Sequence, residues 1–452
     1  MKNVFLICLL LLNQNFILSE NSSYDYSSYT ATSVDTSLTS DNIACTTTGQ
    51  SAVYITKSGI TIKDTSITKS GDIASNDNTE DSEFYGINAA VLVQGGSLTM
   101  TGGSISTSAR GGNALVATNS GSVTISGTTI TSTGSGSARG LHATYGGKIT
   151  ADSVTITTQS GSCATLATDR GEGTVSCTKC TLTTNGAGSP IVYSTGAITL
   201  TDSTGNSNAA QAVVVEGKNS ATIKSSTIKC KGSGNGHNDE CGVLIYQSMS
   251  GDAATGTSSF TCDSSTIEID SSTTSAPMFY VTNTASNIDL TGCTFTYQSG
   301  TFLKASTGDW GSNGGTIKMT LTNQEIEGDI VVGSSSSLNL TLVNSSIKGT
   351  INSAKTASKL YITLDSDSTI TLTGNSYYTS LTNDDSSNSN IDTGSYTWSN
   401  YEETSTSSSS STSSTSTTGD DEDEDFDPIL TAASNLISLN KLIIFIISAL
   451  LI

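Results

Sequence analysis

Three stretches hold the residue types from which chemistry is built. Asp169-Arg170-Gly171-Glu172 places two carboxylates and a guanidinium within four residues. These are the ingredients of acid–base catalysis, in which one carboxyl protonates a leaving group and another activates the attacker. The same residues also make an ordinary surface ion pair, and that is the plainer reading. Cys177-Thr178-Lys179-Cys180 has the spacing of a thiol redox pair, but such a pair needs a helix start to lower its thiol pKa. The acidic run from Ser75 to Glu83, with Asp77, Glu80, Asp81 and Glu83, offers oxygen ligands for a weakly held cation, or reads as a solvated loop. The two histidines, His142 and His237, lie 95 residues apart, which is not metal-ligand spacing. No cofactor is implied.

The elements that must position these residues are repeats. Val123, Ile149 and Val175 are each 26 apart, as are Ile125, Ala151 and Cys177, and Ile130, Ile156 and Leu182. Leu98, Met100 and Ile105 stand one unit earlier at an offset of 25. A third apolar segment recurs between them, in NALVATN from Asn113, GLHATYG from Gly140 and AVVVEG from Ala212. Alternation at period two with Ser, Thr, Asp and Lys outward predicts half-buried strands, three to a coil. The fold class expected is all-β: a single right-handed parallel β-helix, its hand following from the crossover rule. Beyond about residue 315 the period shortens to 21, as in Ile317 to Leu338 and Ile326 to Ile347. Insertions interrupt the coils at Ser70 to Phe84, Lys231 to Cys241, Gln247 to Ser258 and Ala305 to Gly315. Insertions in a solenoid become loops, and loops on one side make a binding face.

From Tyr361 the chain reads YITLDSDSTITLTGNSYYTSLTN and then SNIDTGSYTWSN. With these coils the chain resembles the pectin-lyase-like β-helix superfamily, and more closely the adhesin-type passenger helices of bacterial autotransporters, over roughly Cys45 to Trp398. That superfamily holds lyases, hydrolases, adhesins and structural proteins, so the resemblance implies a fold before an activity. Two marks of its galacturonase branch, Gly-His-Gly and Arg-Ile-Lys, are not found. Gly236-His237-Asn238 echoes one of them in part, inside an insertion.

Both ends carry address signals. Residues 1–19 read as a secretory signal peptide, with an early Lys and an apolar run from Val4 to Leu12. Residues 20–44 form an N-terminal segment and cap, and 45–398 the β-helix. Residues 399–431 form a disordered stalk that is Ser/Thr-rich and then acidic. In 432–452 the small residues Ala432, Ala433 and Ser434 precede a spacer and an 11-residue apolar tail. That order resembles a glycosylphosphatidylinositol attachment signal, and the tail falls short of the roughly 20 residues a membrane span needs. The sequons at Asn21, Asn339 and Asn344 fit a secretory route.

Removing Cys8 with the signal peptide leaves an even cysteine set, which favours disulfides. Cys177 is expected to pair with Cys180 or Cys163. Cys230 and Cys241 are placed to staple the insertion between them, and Cys262 and Cys293 to bridge neighbouring coils.

A net charge of -21, with 19 Lys and Arg against 40 Asp and Glu, disfavours nucleic acid as a partner. The expectation is a non-catalytic protein lipid-anchored on the extracellular face of the plasma membrane, serving adhesion, recognition or coat structure. Its partners would be glycans or surface proteins, with Tyr377, Tyr378, Tyr396 and Tyr401 among the aromatics available to sugars. The alternative is a polysaccharide lyase or glycoside hydrolase using Asp169, Arg170 and Glu172. A minor alternative is ice binding on the Thr-x-Thr rows Thr129/Thr131, Thr155/Thr157 and Thr181/Thr183.

Overall fold

The computed structural model describes residues 24–29, 31, 33–74 and 79–401. The signal segment, Asn21, Asp77, the chain from residue 402 onward and the attachment region at Ala432, Ala433 and Ser434 lie outside the described residues.

The chain winds into a parallel β-solenoid of about 14 turns, 2% helical. Each coil adds a strand to three walls in turn: a 14-stranded sheet I, a 10-stranded sheet II and an 11-stranded sheet III. Sheet II stops after Thr294–Thr296, and a separate 4-stranded sheet takes its place in the later coils. The repeat read from the sequence is the strand register. Val123 pairs with Ile149 and Ile149 with Val175, while Ile130 pairs with Ile156 and Ile156 with Leu182. The shorter period of the last coils holds too, pairing Ile317 with Leu338 and Ile326 with Ile347. Strands Leu38–Thr39 and Asn42–Cys45 already belong to the first coil, so the solenoid begins ahead of Cys45.

In sheets I and II, burial alternates as the period-two pattern requires. In Ser122–Ser126, Val123 and Ile125 are buried and Thr124 is exposed. Ile130, Ile156 and Leu182 are sealed from solvent in one continuous core, and each fully buried aliphatic contributes about 1.5–3 kcal/mol. Truncating one, as in Ile156→Ala, is expected to cost about 2–5 kcal/mol because the rigid coils above and below cannot close the void.

The corner between sheets I and II needs positive φ. Asp64, Ser153 and Asp202 supply it, and Asn323 and Asn344 do so where the 4-stranded sheet has replaced sheet II, at φ values between 46° and 55°; all are small polar residues that tolerate the left-handed region. Just after the corner runs an internal ladder of side-chain acceptors. The backbone N–H of Cys180 donates to Ser203 Oγ at 2.9 Å, that of Ser203 to Ser226 Oγ at 3.1 Å, and that of Ser226 to Ser265 Oγ at 3.1 Å. Farther along, Gln324 and Ser345 serve Cys293 and Gln324 in the same way. These buried N–H groups would otherwise lack partners.

Two rungs of that ladder are cysteines in disulfides, Cys177–Cys180 and Cys262–Cys293. The second joins adjoining coils, since Cys262 pairs in register with Leu290. Three expected disulfide candidates are corrected: Cys163, Cys230 and Cys241 are free thiols. Cys230 points into the main core, whereas Cys241 packs outside the wall with Val214, Leu244, Tyr246 and Tyr280, so the sheet separates the two. Cys163 is buried at a turn, where its Sγ donates to the Gly161 carbonyl at 3.1 Å, and Cys177 is already paired.

Among the described residues no helix is long and apolar enough to cross a membrane, and no group of three or more His, Cys, Asp or Glu is placed to hold a metal ion.

Candidate functional site: the outer face of sheet III

Sheet III departs from alternation. Leu115–Thr118, Val213–Glu216 and Val243–Tyr246 are buried at every position, as strands covered on both faces must be. Val215 and Ile245 look inward to the main core, while Val214 and Leu244 look outward into a second apolar cluster. The cover comes from the N-terminal segment, whose Tyr26, Tyr29 and Ala31 pack on the cluster of Tyr54, Leu92 and Val116, and from the insertions. Each lies between a strand of sheet III and its neighbour in the coil: two before the sheet, at Ser70 to Phe84 and Lys231 to Cys241, and two after it, at Gln247 to Ser258 and Ala305 to Gly315.

The first insertion carries the helix Thr79–Tyr85. It is docked through its backbone, Asn113 Nδ2 donating to the Ser82 carbonyl at 2.9 Å and His142 Nε2 to the Glu83 carbonyl at 2.6 Å. Gly86 ends it at φ +73°, where any Cβ would come within 2.5 Å of Val116.

Beside this helix sits a buried charge cluster. Arg139, just before strand Leu141–Ala143, donates from Nη1 to Asp169 Oδ2 at 2.5 Å, and its Nη2 lies 3.5 Å from Glu83 Oε2. The side chains of Arg139 and Asp169 are only 7% and 5% exposed, so the pair requires mutual compensation. Burial drives the Asp169 carboxyl up to about 6 despite the adjacent guanidinium. Burial and that same guanidinium drive the His142 imidazole down to about 3, so it is neutral.

The sequence cluster Asp169, Arg170 and Glu172 is thereby dispersed among three partners. Asp169 turns to Arg139. Arg170 pairs with Asp252 of the third insertion while its guanidinium lies 3.8 Å from the centre of the Phe84 ring of the first, tying the two insertions together. Glu172 meets Lys218 at 2.7 Å. The second and fourth insertions are joined as well, through Asn238 and Asp309 at 2.8 Å and through the His237 and Trp310 rings at 4.2 Å. The histidine of the partial Gly-His-Gly echo therefore serves a loop clasp.

A second buried carboxylate was not singled out from sequence. Glu216 Oε2 accepts from the hydroxyls of Tyr193 and Tyr246, each at 2.8 Å, and Oε1 accepts from Ser248. Burial first, and then neighbouring acidic groups, hold both phenols well above their usual range, so they remain donors. Between these two networks opens a cavity of about 200 Å³, lined among others by Glu83, Arg139, Pro190, Tyr193, Asn235 and Tyr246. It joins strand residues to the first and second insertions. Asp169 is not on its wall.

The remaining candidates lie elsewhere. Cys177 and Cys180 are in a disulfide within the wall. Asn339 and Asn344 are exposed, Asn339 on the outer face of sheet I between Lys318 and Tyr361. Tyr378 packs on Trp398 at 4.6 Å, and Tyr401 donates to the Ala357 carbonyl at 2.6 Å, both closing the C-terminal coil, while Tyr396 is exposed. The Thr129, Thr155 and Thr181 rows are in register on sheet II. A longer row crosses sheet I through Thr99, Thr124, Thr150, Ser176, Thr199 and Thr222.

A continuous apolar run such as VVVE or VLIY, set against alternation in the other two strands of each coil, is the sequence signal that marks sheet III as the covered wall. No family model, curated protein or solved structure matches this chain.

Proposed function

We propose that this is a surface-displayed recognition protein of the pectin-lyase-like kind, related in design to adhesin passengers, that binds carbohydrate on the outer face of sheet III without turning it over. The observation that carries this reading is the placing of all four insertions beside one wall, where the first and second line a cavity with two tyrosines, an arginine, a carboxylate and an amide. Phenol rings stack on the C–H faces of a sugar ring, and fixed polar groups read its hydroxyls. Exposed solenoid loops on a rigid stack are a common place for binding sites.

Display is inferred from sequence order. The signal peptide, the Ser/Thr and acidic spacer and the attachment region around Ala432, Ala433 and Ser434 support a lipid-anchored protein on the extracellular face of the plasma membrane. Release from intact cells by phosphatidylinositol-specific phospholipase C tests the anchor, and retention after treatment contradicts it.

The enzyme alternative draws less support. Asp169 is spent on Arg139 and sits off the cavity wall, and Glu172 is engaged by Lys218, so these carboxylates do not flank a shared substrate bond. Polyuronate cleavage with and without Ca²⁺, abolished by Asp169→Ala and Glu172→Ala, is the outcome that restores it. The binding reading is tested on a glycan array, comparing the full chain with Asn235→Trp. Asn235 is exposed in the second insertion, so the indole fills the cavity mouth without entering the core. Glycan binding by the wild type and its loss in the variant are expected; a wild type that captures no glycan overturns the proposal.

A further inference from the structure

We infer that the sheet III cavity selects a sugar carrying a protonated amine, a hexosamine, over a neutral or uronic acid sugar; this rests on the carbohydrate reading above. The charge around the cavity does not close on itself. Arg170 is matched by Asp252 and Lys218 by Glu172, which leaves Arg139 alone against Asp169, Glu83 and Glu216. Asp169 takes the short, buried contact with Arg139, while Glu83 keeps only the long 3.5 Å approach, lies on the cavity wall and is 19% exposed. Glu216 lies 2% exposed with hydroxyl donors on both its oxygens.

The aromatic wall makes the same demand independently. Tyr193 already has the Arg139 guanidinium 5.5 Å from its ring centre, so that ring stands in a cation-holding position. Tyr193 and Tyr246, both on the cavity lining, each donate a hydroxyl hydrogen bond to Glu216, which enriches their rings. Tyr246 is in turn held against Trp310 at 4.7 Å. Phenol rings beside the weakly compensated Glu83 carboxylate attract an ammonium and repel a carboxylate. The cavity volume of about 200 Å³ suits one ring rather than a chain, and the overall charge of -21 disfavours polyuronates at longer range.

Calorimetric titration of the full chain with the β-1,4-linked glucosamine tetramer, its N-acetylated form and the galacturonate tetramer tests this. The expected result is at least tenfold tighter binding of the free amine than of the acetylated tetramer, lost as salt is raised, with no binding of galacturonate. Glu83→Gln should narrow the ratio to a fewfold, and its fold is checked by thermal melting, since His142 and Asn113 still hold the helix by its backbone. Equal or tighter binding of the acetylated or galacturonate tetramer overturns the amine selectivity and leaves the carbohydrate reading standing. No binding of any of the three, with a glycan array also blank, overturns both.

Discussion

Arg139 and Asp169 form a buried ion pair, Nη1 to Oδ2 at 2.5 Å, across 30 residues of sequence and between two successive coils. The pair fixes the back of the cavity, and its cost of breakage is predictable. Asp169→Ala leaves a buried guanidinium with Glu83 as its remaining carboxylate and is expected to destabilise the protein by about 3–5 kcal/mol in urea unfolding. Replacing the pair with apolar residues, Arg139→Met with Asp169→Leu, should recover most of that loss. A double variant no more stable than the single one contradicts this assignment.

His142 should set part of the acid limb of stability. Its native imidazole is held down to about 3, against 6.5 ordinarily. Between those values the unfolded chain takes up a proton that the native one refuses, so stability falls as pH falls through the window. Asp169, raised to about 6 from 3.8, acts oppositely, its own contribution falling as pH rises from about 4 to 6. Because Asp169 is present in both proteins, comparing the wild type with His142→Gln isolates the histidine. Urea midpoints at pH 7 and pH 4.5 should drop further for the wild type than for the variant.

Tyr193 and Tyr246 share one acceptor, Glu216 Oε2. Tyr193→Phe and Tyr246→Phe are each expected to cost about 1–3 kcal/mol by leaving a buried carboxylate short of a donor. Acting on one atom, they should not add, and a double-mutant cycle with no coupling energy contradicts the shared network.

Thiol chemistry separates the cysteines. Under denaturing but non-reducing conditions Cys45, Cys163, Cys230 and Cys241 should alkylate, and Cys177, Cys180, Cys262 and Cys293 should not. In the native protein Cys163 and Cys230 are protected by burial, which also pushes their thiols up to about 11 and about 12. A Cys230–Cys241 disulfide in a peptide map contradicts the assignment of these two to opposite sides of the wall. Cys262→Ser with Cys293→Ser should lower stability by about 2–4 kcal/mol.

The fold was legible because a solenoid repeats its inward residues. The 26-residue spacing of Ile130, Ile156 and Leu182 is a register, and the 21-residue spacing of the last coils is another. The site was much less legible, since it is built where the repeat fails. Glu83 reaches Arg139 across 56 residues, a contact created by a helix in an insertion, and no periodicity encodes it. Asp169, Arg170 and Glu172 looked like one cluster because they are adjacent in the chain, yet a tight turn sends them apart. Gly171, at φ +76° against the Tyr145 ring, makes that turn. Cys230 and Cys241 flank the same loop, but strand alternation turns one inward while the other lies outside the wall, and loop length alone does not show this.

On this reading the insertion-covered face of sheet III is the binding face. A structure of the full chain soaked with the glucosamine tetramer tests it most directly. A sugar ring is expected in the cavity against Tyr193 with its amine toward Glu83; a tetramer bound on sheet I or sheet II with this cavity empty contradicts the assignment.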